Sequence, residues 1–448
     1  SDQVLGHEAC LLGRLRRLCD SIPSAIPVEY NTDGALLACH ARGFERLVAK
    51  VKEVCFMDGC PVYQFKSVAE SKLRTEGHAY RESEARMPRL MEVRREVRPE
   101  SEWGEEGIME TLRETVAQRK GLGIIGSAGT GKSQLTRALI DMLKAEGIPC
   151  HCVGPTHCSA RQFSPDDKAS TLHRFLLSKG RNGRVPKLSG YIICDEAFFI
   201  STLLTCALMP LFHANGEDLR WILVGDPQQF RAVADHWYGR DGVSESDMTT
   251  LFDRMVGGRW VKMERNRRSC QRLFDLYCDP PSGAELSAIL PYKGPARYNL
   301  CVSHRRRKQL IRKANAVYKR RPHIFVKADK RYPNSQDLHV GVGMELICCK
   351  TVEPLALFNN SLFTVAGLGE STITVEELDT RGRSEIPVAR LAEVLRSAAA
   401  LTTIQVQGRT LQGTVCLHEW SHSRFSRRHA IVGLSRATSM ELVSMGPY

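Results

Sequence analysis

The sequence predicts an α/β protein built on parallel sheets between helices, with a smaller all-β insertion in its second half. Three observations predict it. An apolar run at residues 122–125 (LGII) leads into the glycine-rich stretch Gly126-Ser127-Ala128-Gly129-Thr130-Gly131-Lys132-Ser133, and helical character follows from Gln134. Two further apolar runs, at 191–194 and 221–224, end abruptly in polar residues. Strands that deliver groups to the carboxyl edge of an open sheet read this way. Between residues 340 and 390 the helical spacing gives way to short β-type runs at 344–347, 362–365, 372–375 and 386–388.

The glycine-rich stretch matches G-x-x-x-x-G-K-[ST] at every fixed position, in the strand–loop–helix context that the pattern needs. Its glycines let backbone N–H groups close around a polyphosphate, and the helix N-terminus adds partial positive charge. ATP is therefore expected along Gly126 to Ser133 and Gln134. Lys132 would reach the β- and γ-phosphates, and the Ser133 hydroxyl would ligate Mg²⁺. Asp195-Glu196 closes the second apolar run. Asp195 would hold Mg²⁺ through water, and Glu196 would orient and deprotonate the attacking water. Most Asp-Glu pairs are solvated surface, but a buried strand ending in one beyond a phosphate loop is better read as chemistry. Gln229, past the third run, is placed to sense the γ-phosphate. Hydrolysis also needs positive groups from across the cleft, and Arg268 and Arg436 are the candidates. Arg267 is the rival to Arg268. An apolar run at 431–434 ahead of Arg436 reads as a strand.

Composition agrees. A chain of 448 residues with 42% hydrophobic content can bury about three cores. The net charge of +13 fits a polyanionic partner, although part of any basic excess only solvates exposed faces. No apolar run is long enough for a membrane span, and no leader peptide is visible. The 16 cysteines lack framework spacing, and many fall in apolar runs. They read as reduced, buried thiols of an intracellular protein. Cys39-His40, Cys55 and Cys60 could be drawn as a zinc site, but no second tight pair answers Cys55 and Cys60, so ordinary thiols are the better reading.

The stretches GSAGTGKS, CDEA, VGDPQQF, ERNRRS, QVQGRTL and VGLSRATS stand in the order of motifs I to VI of superfamily 1 helicases, which the chain resembles from about residue 121 to 446. GPTHCSA and the Ser170-Thr171-Leu172-His173 segment are similar to the Pif/RecD-like branch. The resemblance implies two RecA-like domains, a small β-barrel inserted in the second, and a monomeric ATP-dependent enzyme moving 5′ to 3′ on single-stranded DNA. It also implies that Gly408 contacts nucleotide, and that Thr156, His157, His173, Thr402 and Thr410 touch the strand. His157 could equally be structural. The sequence departs from the branch at Ile404, where a histidine is usual, and only 21 residues separate His173 from Asp195, leaving little room for a wedge. Two alternatives stay open: an RNA helicase of a positive-strand RNA virus, and a non-unwinding, ATP-switched binding protein.

The expected division is 1–100 for an accessory domain that could carry a protein partner, 101–256 for the first RecA-like domain, and 257–448 for the second, with the barrel at 338–395. Residues 10–19 and 44–54 show helical spacing, and 81–99 reads as a linker or exposed helix. Trp237, Trp260 and Trp420 are expected in cores rather than stacked on bases.

Overall fold

The computed structural model describes residues 93–155, 170–179, 187–201, 214–232 and 251–447 apart from 333–334, with 204, 208, 211–212 and a few short strands elsewhere. Residues 95–200, 207–231 and 252–448 form one compact unit. Residues 1–94, 201–206 and 232–251 form another, in which Ala25–Tyr30 pairs antiparallel with Ala35–Cys39. The expected helices at 10–19 and 44–54, the side chains of Cys39, His40, Cys55 and Cys60, and that of Trp237 lie outside the described residues.

The larger unit begins with β1 (Glu96–Pro99) and α1 (Glu100–Ala117). Then come β2 (Leu122–Gly126), α2 (Lys132–Ala145), β3 (Cys150–Gly154), β4 (Ser170–Thr171), α3 (Leu172–Lys179), β5 (Gly190–Cys194), β6 (Leu219–Gly225) and β7 (Arg259–Met263). The seven strands form one sheet in the order β1-β7-β2-β6-β5-β3-β4, every pairing parallel. Strand β2 is buried along its whole length, as a central parallel strand covered on both faces must be. Helix α2 covers it with Leu135, Leu139, Ile140 and Leu143, spaced to fall on one face. Each such side chain contributes about 1.5–3 kcal/mol when fully buried.

Two expectations are corrected here. Residues 96–99, read as linker or exposed helix, are a strand, and 259–263 pairs with β2 instead of opening the second domain. The limits at 100/101 and 256/257 therefore both cut into the first sheet. Charge masked β1, because an edge strand carries polar residues on its open side. Trp260 on β7 is 1% exposed and packs over Gly123, so it is core as expected.

The second sheet runs through α4 (Gln271–Cys278), α5 (Gly283–Ile289), β8 (Tyr298–Cys301) and α6 (His304–Asn315), then a hairpin of β9 (Ile324–Val326) and β10 (Leu338–Val340). The β-rich insertion follows as β11 (Glu345–Cys348), β12 (Leu362–Leu368), β13 (Thr372–Glu377), β14 (Arg383–Pro387), α7 (Leu391–Val394) and β15 (Leu395–Ser397). Its five strands pair antiparallel in the order β14-β13-β12-β11-β15. The chain then returns through β16 (Ala400–Thr402), β17 (Val415–Leu417), α8 (Arg427–Leu434) and β18 (Val443–Met445). The second sheet is β16-β8-β17-β18, again all parallel.

Residues 431–434, expected as a strand, are the last turn of α8. The run is buried on every side, so hydrophobic periodicity cannot separate helix from strand. The deciding signal is local: Ser426 and His429 make a reciprocal cap at the helix start.

Candidate active site

The loops that leave the carboxyl ends of β2, β5, β6 and β7 converge on one cleft of about 1390 Å³. Ala128, Gly129, Lys132, Ser133, Asp195, Glu196, Gln229 and Arg268 line it from the first sheet, and Gly408, Thr410 and Arg436 from the second. The loop after β2 is shaped by its own bonds. Thr130 is buried and its hydroxyl donates to the Ser127 carbonyl at 2.8 Å. Gly131 has φ +93°, and a Cβ there would lie 2.9 Å from Arg267 Cδ, so the position needs glycine on two counts. Gln134 sits exposed on the first turn of α2, outside the cleft lining.

Lys132 Nζ donates to the carbonyls of Gly126 at 2.7 Å and Ser127 at 2.9 Å. Burial pulls its pKa down, while Asp226, Glu196 and Asp195 act to hold it up. Asp195 is pushed well above the usual carboxylate range by burial and by the neighbouring Glu196 charge. A buried carboxylate and a hydroxyl beside a loop of N–H donors suit a hard, oxygen-seeking cation with a polyphosphate. Glu196 takes a left-handed backbone, φ 49°, which is rare outside glycine and costs about 1–3 kcal/mol. Its carboxylate meets the turn that carries Gln407 and Gly408. There Gln407 Nε2 donates to Glu196 Oε2 at 3.2 Å and to the Phe230 carbonyl at 3.4 Å. Gly408, with φ +77°, lets the chain pass Glu196, since a Cβ would sit 3.3 Å from its Oε1. Gln229 Nε2 donates to Asp226 at 3.0 Å, while its Oε1 is buried without a partner among the described residues.

The arginines divide clearly. Arg267 ion-pairs with the buried Glu100 and donates to the Thr130 carbonyl at 2.9 Å. It braces the phosphate loop from behind. Arg268 faces the cleft, donating to Thr410 Oγ1 at 3.0 Å and to the Ser435 carbonyl at 2.6 Å, with its Nε left over. Arg436 is 2% exposed. Its guanidinium donates to the carbonyls of Val432 (2.9 Å), Val406 (3.1 Å) and Arg409, and to Ser435 Oγ (2.8 Å). Burial and the neighbouring Arg268 push its pKa down.

The expected strand contacts fare differently. Thr410 lines the cleft, where its hydroxyl accepts from Arg268. Thr402 is buried, and its hydroxyl is used in a reciprocal cap with Gln405. His173 is exposed on α3. Thr156 and His157 lie outside the described residues. Trp420 is half-buried, its Nε1 donating to the Gly446 carbonyl at 3.0 Å.

Sequence reasoning missed Gln407, Asp226, Tyr277 and the Glu100–Arg267 brace. Gln407 and Asp226 sit inside recognisable motifs and could have been taken from them. Tyr277, whose hydroxyl donates to the Ala128 carbonyl at 2.7 Å, leaves no signal in sequence.

A family model described as an AAA domain matches residues 107–251. Among solved structures the chain is similar to the Pif1 helicase from Candida albicans, at 16% identity and TM-score 0.53, over 76% of this chain and 94% of that one. It is also similar to Bacteroides Pif1 bound to ssDNA, at 15% identity and TM-score 0.52, over 77% and 92%. Bacteroides Pif1 in complex with ADP-AlF3 and ssDNA gives 16% identity and TM-score 0.54 over the same shares. At these identities the likeness is one of fold: two RecA-like parallel sheets. No curated protein matches the chain. No helix among the described residues is long and apolar enough to cross a membrane.

Proposed function

We propose that this chain, which carries the fold of the Pif1 helicases, is an ATP-dependent helicase that moves along single-stranded DNA, 5′ to 3′, and separates duplexes. One observation carries the reading. A single cleft gathers a phosphate loop, two carboxylates and a glutamine from one parallel sheet, and a glycine turn and a buried arginine from another. A nucleotide held there touches both sheets, so its hydrolysis can change how they sit together. Solved Pif1 structures with this fold hold ssDNA and ADP-AlF3, which supports ATP and a DNA strand here.

In the proposed cycle, the backbone N–H groups of the loop and Lys132 take the phosphates, so Lys132 exchanges its two carbonyl acceptors for phosphate oxygens. Ser133 and Asp195 would hold Mg²⁺, which neutralises phosphate charge when bound. Glu196 holds the attacking water and takes its proton. Arg268 and Arg436 face the charge that spreads over the γ-phosphoryl oxygens. Gln407 occupies Glu196 until nucleotide and water compete for it. The first RecA-like domain then extends to Met263, and the insertion belongs to the second.

The deciding measurement is ATP turnover by the purified chain with no nucleic acid, with single-stranded DNA and with single-stranded RNA, beside unwinding of 5′- and 3′-tailed duplexes. Stimulation by DNA with unwinding of the 5′-tailed duplex is expected. Turnover indifferent to nucleic acid would defeat the helicase reading, and preference for the 3′ tail would defeat the polarity alone.

A further inference from the structure

The packing between α6 and the β-rich insertion hides two cationic side chains that the nucleotide cleft does not use. Arg307 on α6 is 2% exposed and Arg396 on β15 is 6% exposed. Both line one small internal cavity, together with Gln336. The Arg307 backbone N–H donates to the Ser303 carbonyl at 3.1 Å, but among the described residues no ion pair or hydrogen bond holds its side chain, and its Nε is buried without an acceptor. Arg396 donates Nη1 to the carbonyls of Ala392 and Leu395, at 2.6 and 2.7 Å, and its Nε is likewise unpartnered. The amide nitrogen and oxygen of Gln336 are also buried with no partner among the described residues. Neither arginine has a carboxylate within ion-pair distance among the described residues. Burial pulls the pKa of Arg307 down, and the Arg396 charge adds to that pull against the nearby Cys349 thiol.

Two like charges that are largely buried and have no carboxylate partner are costly for a core to hold. A buried guanidinium can lose its proton only at extreme cost, so the charge stays and needs a counter-charge. The residues around the cavity supply donors and no acid. The space admits the centre of a water-sized sphere over about 10 Å³, so it takes one small occupant at most and not a phosphate. A water could accept the hydrogen bonds but would leave both charges standing.

We propose that this cavity binds a single halide-class anion, held between Arg307 and Arg396 with the Gln336 amide N–H as a further donor. The anion fastens α6 to the insertion, so the stability of the second domain depends on which anion the solution supplies.

The test compares melting of the full chain in sodium chloride and in sodium gluconate at equal ionic strength. Chloride should raise Tm by at least about 2 °C, the scale of a modestly saturated site in a domain of this size. Arg307→Met should abolish that difference. It should still fold, because the Arg307 side chain has no hydrogen bond to lose and an apolar side chain suits a buried site. Crystals of the wild-type chain soaked in bromide should show an anomalous peak in contact with both guanidiniums. Equal chloride dependence in wild type and Arg307→Met, or no dependence in wild type, would overturn the proposal. So would a water only, with no bromide peak, and that measurement decides by itself if Arg307→Met does not fold.

Discussion

The two sides of the cleft hold their functional groups in different ways. On the first-sheet side Lys132 and Gln229 are tied to their own loops, Lys132 to two carbonyls of residues just before it and Gln229 to Asp226, while Glu196 and Arg268 reach across to Gln407, Thr410 and Ser435. On the second-sheet side Arg436 is a structural post as well. It donates to carbonyls of Val406 and Arg409, about 30 residues away, and so pins the turn that carries Gln407 and Gly408. Chemistry and stability should therefore separate on the first side and be entangled on the second.

Lys132→Ala should show the cleanest separation. Turnover should fall below detection, since the ammonium neutralises phosphate charge, while single-strand affinity stays, because it arises from many basic groups. The melting temperature should stay within a degree or two of wild type. Measurable turnover in the purified variant would remove Lys132 from the phosphates.

Arg436→Ala should lose turnover by about 10³-fold and also melt lower, because buried carbonyls lose their donor at about 1–3 kcal/mol each. Arg436→Lys should recover part of the stability and little of the turnover, since an ammonium cannot copy a planar fork. Arg268→Ala should lose turnover with a smaller fall in Tm. If Arg436→Ala melted like wild type, the proposed difference between the two sides would be gone.

Glu196→Gln keeps the shape and the contact with Gln407 but cannot take a proton. It should bind nucleotide normally and turn over about 100-fold slower. Failure to bind nucleotide would make Glu196 a structural residue.

The smallest expected effect sharpens the comparison behind the loop. Burial acts to raise the Glu100 carboxyl, but hydrogen bonds from Arg267 and from the backbone N–H groups of Arg265 and Glu264 outweigh it and hold the pKa below its ordinary value of 4.5. A carboxylate lowered on folding stabilises above its unfolded pKa, and that stability is lost as pH falls through the folded value. Glu100→Gln should therefore melt a few degrees lower near pH 7, and the gap should close as pH falls below the ordinary carboxylate value and through the lowered one. A gap independent of pH would show that packing, not charge, is what Glu100 contributes.

Much of this molecule was written locally. The phosphate loop, the strands at 190–194 and 219–225, and the β-rich insertion each leave a pattern within a few residues. Backbone geometry fixes which side chains can follow a strand into a glycine turn. Placing Asp195, Glu196 and Gln229 at carboxyl ends needed no more than apolar runs that stop. Tertiary structure decided what periodicity cannot carry. Residues 431–434 are apolar on every side, so only the Ser426 cap and the surrounding core made them helix. The partners of the Thr402 and Thr410 hydroxyls, a cap with Gln405 and the Arg268 guanidinium, are likewise set by the fold. Arg267 and Arg268 are chemically identical neighbours. One turns to Glu100, 167 positions away, and the other to Ser435, also 167 positions away. Sequence fixes which groups a chain can offer, because that is covalent and local. Which partner each group meets depends on long-range burial, where an unpaired charge or donor is too costly to leave alone.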